Sequence, residues 1–171
     1  MRALVDDSLL SELKIEFLEN VAFNLLYEEA KNLFGEVAAR QLVYKIMKEA
    51  SKSMVERFRS QGLLNVNDVT TALSLPCKAF GVAASCEREG DKLLVRVREC
   101  PLLKFDEDKS GRACITMMSL VAGMVESVTG KRVCIITPRV RFGTSSADLV
   151  IKMLKSKLLG DEECLFEVRA K

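Results

Sequence analysis

The sequence contains no histidine. That removes the commonest general base, the commonest metal ligand and the usual proximal haem ligand. No Ser-His-Asp or Cys-His arrangement can be built. Catalysis would have to run on cysteine, lysine, tyrosine, carboxylates or a bound cofactor, and no cofactor is named by the residues. Six cysteines are present, but no two form a Cys-x-x-Cys pair. Close pairs are how structural zinc sites usually announce themselves. The N-terminus lacks the basic, apolar, small-residue order of a secretory signal. No window reaches the ~20 apolar residues of a membrane span. The expectation is a cytoplasmic chain whose thiols are free, unless its source is a hyperthermophile, where intracellular disulfides occur. Internal repeats and low-complexity segments are also missing.

What is present is apolar. Of 171 residues 49% are hydrophobic, and the net charge is +2. The length suits one domain with a sizeable core. The near balance of charge does not favour nucleic acid as a partner. Charge is uneven, however: residues 131–159 carry seven bases against Asp148, whereas in residues 1–49 nine acids face six bases. The dominant feature is the run 111–130. Between Ala113 and Val128 the polar residues are Thr116, Ser119, Glu126 and Ser127, and only Glu126 is charged. A helix apolar on nearly every face has to be buried on nearly every face.

Around that run the periodicity changes along the chain. Residues 8–34 read as a helix, with Leu10, Leu13, Phe17, Val21, Leu25 and Phe34 at helical spacing and Gly35 as a stop. Residues 36–58 read as a second helix whose face is Ala39, Val43, Ile46, Ala50, Met54 and Phe58. Asn65 and Asn67 are caps for a third, which Pro76 should end. Residues 82–88 and 92–98 then alternate about Glu89-Gly90-Asp91, a half-buried hairpin. Residues 104–110 are a charged loop. The core helix follows, then an apolar strand at 133–137 and a basic loop at 139–146. Residues 147–159 fit either a helix or a strand, the local cap and charge signals favouring the helix. Residues 164–168 form a last strand. These elements predict an α+β domain: helices on one face of an antiparallel sheet of about four strands, the 113–128 helix innermost. Residues 1–60 form a helical pair with much apolar surface, the expected homodimer face. Residues 61–171 form the ligand-binding core.

Several stretches carry a resemblance. Gly35-Glu-Val-Ala-Ala-Arg-Gln-Leu-Val-Tyr44, followed by Lys48-Glu-Ala-Ser-Lys52, resembles the paired helices that open the 4-vinyl-reductase domain family. The hairpin ending in Arg98-Glu-Cys-Pro101 resembles its first strands. Gly123-Met-Val-Glu-Ser-Val-Thr-Gly-Lys131 resembles the end of its core helix, and Gly160-Asp-Glu-Glu-Cys-Leu-Phe-Glu-Val168 its closing strand. The resemblance spans about residues 20–170. It implies a fold like the small subunits of TRAPP tethering complexes, and the binding of small, often hydrophobic molecules. Two departures stand out. The family often carries a further cysteine shortly before the closing one, where this chain has Leu158, and residues 138–159 are longer than the family's connection.

Three site readings follow. Met117, Met118, Val121 and Met124, beside Leu120, are either plain core or the wall of a chamber for a hydrophobic or amphipathic guest, with Phe80 and Phe105 at its rim. Arg139 and Arg141, with Lys152 and Lys155, would hold a carboxylate or phosphate on that guest, or form a solvated basic face. Only Phe142 is interleaved with them, so nucleic acid is not expected. Cys100, Cys114, Cys134 and Cys164 are either small buried hydrophobes or a soft-metal or redox site. Glu99, Glu126 and Tyr44 are candidates for acid–base work, and no spacing pairs them. The first expectation is a non-enzymatic ligand-binding sensor or carrier, acting through a partner chain if it regulates. The alternatives are a cysteine-based metal or redox sensor, and an enzyme using Cys100.

Overall fold

The computed structural model describes residues 20–63, 69–79, 81–106 and 110–171. A π-type turn at Val21–Leu25 runs directly into helix α1, Leu26–Phe34. Residues 8–19 of the expected first helix lie outside the described residues. Helix α2, Glu36–Ser60, packs beside α1. Its buried side chains are Ala39, Val43, Tyr44, Met47, Ser51 and Val55. The expected face is therefore rotated: Ser51 is buried and Ala50 is exposed. The Ser51 hydroxyl donates to the Lys48 carbonyl at 2.9 Å, so burying it strands no donor.

Helix α3, Val69–Ala79, continues past Pro76 rather than ending before it. Proline removes one ladder bond, and packing against the core helix and the first strand offsets it. The expected caps Asn65 and Asn67 lie outside the described residues. Strands β1, Ala83–Glu89, and β2, Lys92–Glu99, form the expected hairpin, paired from Glu89–Lys92 outward. A 3-10 turn at Pro101–Phe105 leads to helix α4, Arg112–Thr129. Every residue of α4 from Ala113 to Val125 is buried. The remaining strands are β3, Val133–Ile136; β4, Arg141–Phe142; β5, Leu149–Lys155; and β6, Cys164–Ala170.

Among the described residues the sheet has six strands in the order β1-β2-β6-β5-β3-β4, two more than expected. All neighbours are antiparallel except β3 and β5, which run parallel. Residues 149–155 thus form a strand, which settles the open reading of 147–159 against the helix. The cap-and-charge signals lost because the segment sits between β3 and β6. Ile151 and Met153 join the main core there, and Val150 joins a smaller cluster with Cys134 and Ala147. Local propensity yields to such a double-sided fit.

Helix α4 lies between α2 and the sheet, and at Gly123 its backbone comes close to α2. A Cβ there would fall 2.0 Å from Ser51 Oγ and 2.1 Å from the Lys48 carbonyl oxygen. Glycine is required at that crossing for space, not for an unusual φ. Among the described residues no helix is long and apolar enough to cross a membrane.

Candidate cleft and buried thiols at the start of the core helix

The first turn of α4 is held by a carboxylate from the preceding loop. Asp106 is buried, and accepts hydrogen bonds from Ser110 Oγ at 2.9 Å, Gly111 N–H at 3.2 Å and Ala113 N–H at 2.9 Å. These are donors that a helix start leaves unpaired. The cap fixes the orientation of Cys114 and Ile115, which follow directly.

A second loop, residues 156–163, faces that turn. Gly160 takes a φ of 102°, which a side chain would resist. The reversal lets Asp161 accept from the Ser156 N–H at 2.8 Å and return its own N–H to the Ser156 carbonyl at 3.2 Å. The loop so pinned presents two groups to the cysteines. Ser156 Oγ lies 3.3 Å from Cys114 Sγ, and the Lys157 N–H donates to Cys164 Sγ at 3.4 Å. The Gly160-Asp161-x-x-Cys164 wording singled out in the sequence is thus the local code for a thiol pocket.

The two thiols are unlike. The neighbouring Cys114 thiol, aided by the Lys157 N–H and by Ser156, holds Cys164 below the ordinary thiol range despite its burial. The neighbouring Cys164, together with burial, pushes Cys114 up. Burial drives Cys100 up to about 11 and Cys77 up to about 12, which leaves Cys100 a poor nucleophile at neutral pH.

Two spaces meet at Cys114. One is an open cleft of about 40 Å³, with Ile115, Val140, Met153 and Leu158 among its walls and Arg40 and Arg139 at its edge. Arg40 is tied to Glu36 and donates to the Ser110 carbonyl at 3.1 Å. The other is an inner void of about 10 Å³ between α4, β2 and β6, walled by Val97, Cys100, Met117, Cys164 and Phe166 among others. Cys114 is the one residue common to both linings. The void has room for about one water at most, and its walls are apolar.

The structure therefore distributes the sequence candidates unevenly. Met117 lines the void, while Met118, Val121 and Met124 are packed solidly, each at most 1% exposed. Arg139 borders the cleft. Arg141 does not; its Nη2 is 3.9 Å from Cys134 Sγ, by the smaller cluster. Phe80 lies outside the described residues, and the Phe105 backbone closes the 3-10 turn. Cys100, Cys114 and Cys164 share the void, but Cys134 is apart from them. Among the described residues no group of three or more Cys, Asp or Glu is placed to hold a metal ion. Leu158, where a second cysteine would have stood, lines the cleft instead. Asp106, Ser156 and Arg40 escaped the sequence reading. The one available signal for Asp106 was an acid shortly before Ser110-Gly111 and an apolar helix, a capping pattern.

The acid–base candidates form no catalytic set. Glu126 accepts from Lys52 Nζ at 2.7 Å, Lys48 Nζ at 3.1 Å and the Val133 N–H at 2.9 Å. Burial works against its charge, and the lysines with the N–H more than offset this, so its carboxyl lies below the usual range. Tyr44 donates to the Val133 carbonyl at 3.4 Å and stacks on Phe142 at 5.4 Å. These contacts tie α2 to α4 and β3. Glu99 is exposed at the end of β2.

No protein-family profile matches this sequence, and no curated protein matches it significantly. In three dimensions the chain is similar to a solved structure, a trafficking protein particle complex subunit 3 from Naegleria fowleri covalently bound to palmitic acid. The similarity has a TM-score of 0.63 at 17% identity, and covers 94% of this chain and 96% of that one. At that identity the likeness establishes the fold: this chain has the α+β architecture of a TRAPP subunit.

Proposed function

We propose that this chain is a non-enzymatic module that binds a small amphipathic molecule, an apolar tail bearing an anionic head, and serves as its sensor or carrier. The observation that carries the reading is the pair of spaces set back to back at Cys114. The outer one has apolar walls and arginines at its edge, and the inner one is apolar throughout. The head would meet Arg139, and the tail would pass Cys114 toward Met117 and Phe166. Present volumes hold only the first part of such a tail, so the seat is a minor-state opening that the ligand makes dominant. Met117 and Met153, unbranched and adaptable, are suited to that movement. A chain of like fold holds palmitic acid covalently, which supports an acyl-shaped guest here, as does the resemblance to 4-vinyl-reductase domains.

Native mass spectrometry with saturated fatty acids tests the reading. Affinity should rise about threefold to fourfold per added methylene, from ~0.8 kcal/mol per buried CH₂, until the void is filled. Hexadecanol, which lacks the charge, should bind more weakly than palmitate. An Arg139→Glu variant should lose that preference and keep its hexadecanol affinity. Absence of any retained acid, or affinity indifferent to chain length, would reject the module as an acyl binder.

We further propose a homodimer through the α1–α2 corner, where Leu33, Phe34 and Val37 are 70%, 69% and 78% exposed. Adjacent large apolar residues at that exposure mark an interaction surface. Sedimentation of the wild type as a dimer, and of Phe34→Asp as a monomer, is the expected result. A monomeric wild type contradicts it.

A further inference from the structure

Cys114 and Cys164 come from different elements, the first turn of α4 and the first residue of β6. Both residues line the inner void. One loop serves both, with Ser156 Oγ at 3.3 Å from one sulfur and the Lys157 N–H at 3.4 Å from the other. That loop is fastened by Asp161, and the α4 turn by Asp106. Neither element needs such fastening merely to fill a core with small apolar side chains, and a buried serine beside two thiols is not what an inert core selects. Cys114 also borders the open cleft, so the pair lies one residue from solvent.

We propose that Cys114 and Cys164 are a modification site: a dithiol that a hydroperoxide converts to a disulfide joining α4 to β6, and that this bond sets whether the ligand seat can open. The second half rests on the ligand-binding reading above. The chemistry assigns each thiol a step. Cys164, as thiolate, attacks one peroxide oxygen; an S–O bond forms, the O–O bond breaks, and hydroxide leaves. The hydroxide takes up the equivalent of the proton that Cys164 had shed, and becomes water. Cys114 then attacks the sulfenic sulfur. The S–S bond forms, the S–O bond breaks, and the second hydroxide takes the Cys114 proton as water. Two thiols lose two electrons and hydrogen peroxide gains them. The depressed Cys164 and the elevated Cys114 suit these roles of attacking and resolving thiol. With the sulfur of Cys114 bonded to Cys164, the residue common to cleft and void is fixed in place, and a tail has no passage.

The test uses the full chain treated with stoichiometric hydrogen peroxide. Intact mass should fall by about 2 Da, the two hydrogens lost on disulfide formation. Peptide mapping should find a Cys114–Cys164 link, and dithiothreitol should reverse it. Cys134→Ser should behave as wild type. Cys164→Ser should show no loss, and Cys114→Ser should gain oxygen instead, since its sulfenic acid has no resolving thiol. An unchanged mass, or a link that involves Cys100 or Cys77 instead, overturns the dithiol. Palmitate affinity should drop at least about fivefold on oxidation, the lower range of measured couplings, and return on reduction. Equal affinity in both states overturns the regulatory half. A chain that forms the bond but binds palmitate in neither state keeps the dithiol and rejects the ligand reading together with its coupling.

Discussion

Replacing Gly123 by alanine sets two effects of opposite sign against each other. In a helix interior, alanine is favoured over glycine by about 1 kcal/mol. The α2–α4 crossing says otherwise. The new Cβ would sit 2.0 Å from Ser51 Oγ and 2.1 Å from the Lys48 carbonyl oxygen, with the Lys48 carbonyl carbon at 3.0 Å. The hydroxyl can turn away, but the carbonyl is backbone inside α2, so the helices must separate. Overpacking of this kind costs ~1–3 kcal/mol or more, and here the whole buried length of α4 is involved. A net loss of about 2–3 kcal/mol is expected, on the order of 4–12 °C in Tm at the ~2–4 °C per kcal/mol of larger domains. Urea denaturation of Gly123→Ala, Ser51→Gly and the double variant provides the assay. Because one clash is with side chain and the other with backbone, Ser51→Gly should recover only part of the loss. A Gly123→Ala chain as stable as wild type, or more so, would refute the close crossing, as would complete rescue in the double variant.

Asp106→Ala removes an acceptor of three hydrogen bonds at a buried helix start. A loss of about 2–3 kcal/mol is expected from the cap and the stranded donors, with amide exchange accelerated first at Gly111 and Ala113. Glu126→Gln should destabilise the α2–α4 contact and flatten the acid limb of the stability curve. The Glu126 carboxyl is lowered by folding, so its contribution is present above the unfolded carboxylate range and is lost as pH falls through its folded value. Melting temperature against pH, for the variant and wild type, checks the sign. In the alkaline direction, Cys77 and Cys100 are raised from 9.0 to about 12 and about 11. Stability should therefore decline as pH climbs above the unfolded thiol value, and Cys77→Ala should lessen that decline.

Much of the architecture is legible in the residues because its strongest signals are also its tertiary ones. The 113–128 run is apolar all round, and it is buried from Ala113 to Val125. The hairpin alternates about Gly90-Asp91, and pairs in that register. Where polarity and packing part company, reading fails. Ala50 and Ser51 exchange their expected roles: Ser51 faces the crossing at Gly123, and its polarity is masked there because the hydroxyl donates to the Lys48 carbonyl. Residues 147–159 are flanked by helix-like cap signals, and only the presence of β3 and β6 on either side decides 149–155 for the strand. The candidate site divides in the same way. The closing Gly160-Asp161-x-x-Cys164 wording stands out in the sequence as the start of a last strand, and the structure shows that it also builds the loop beside the thiols. Its union with Cys114, more than forty residues earlier, follows from the sheet order and cannot be read along the chain. The chamber expected beside Met117 has shrunk to a void, and the larger opening lies at the start of α4, where Asp106 and Ser156 gave little local sign.

The most direct test is a crystal grown with palmitate. Density should run from Arg139 at the cleft, past a displaced Cys114, to Met117 and Phe166. A chain whose first turn of α4 is unmoved, with the inner void dry and palmitate bound elsewhere or nowhere, would contradict the ligand seat.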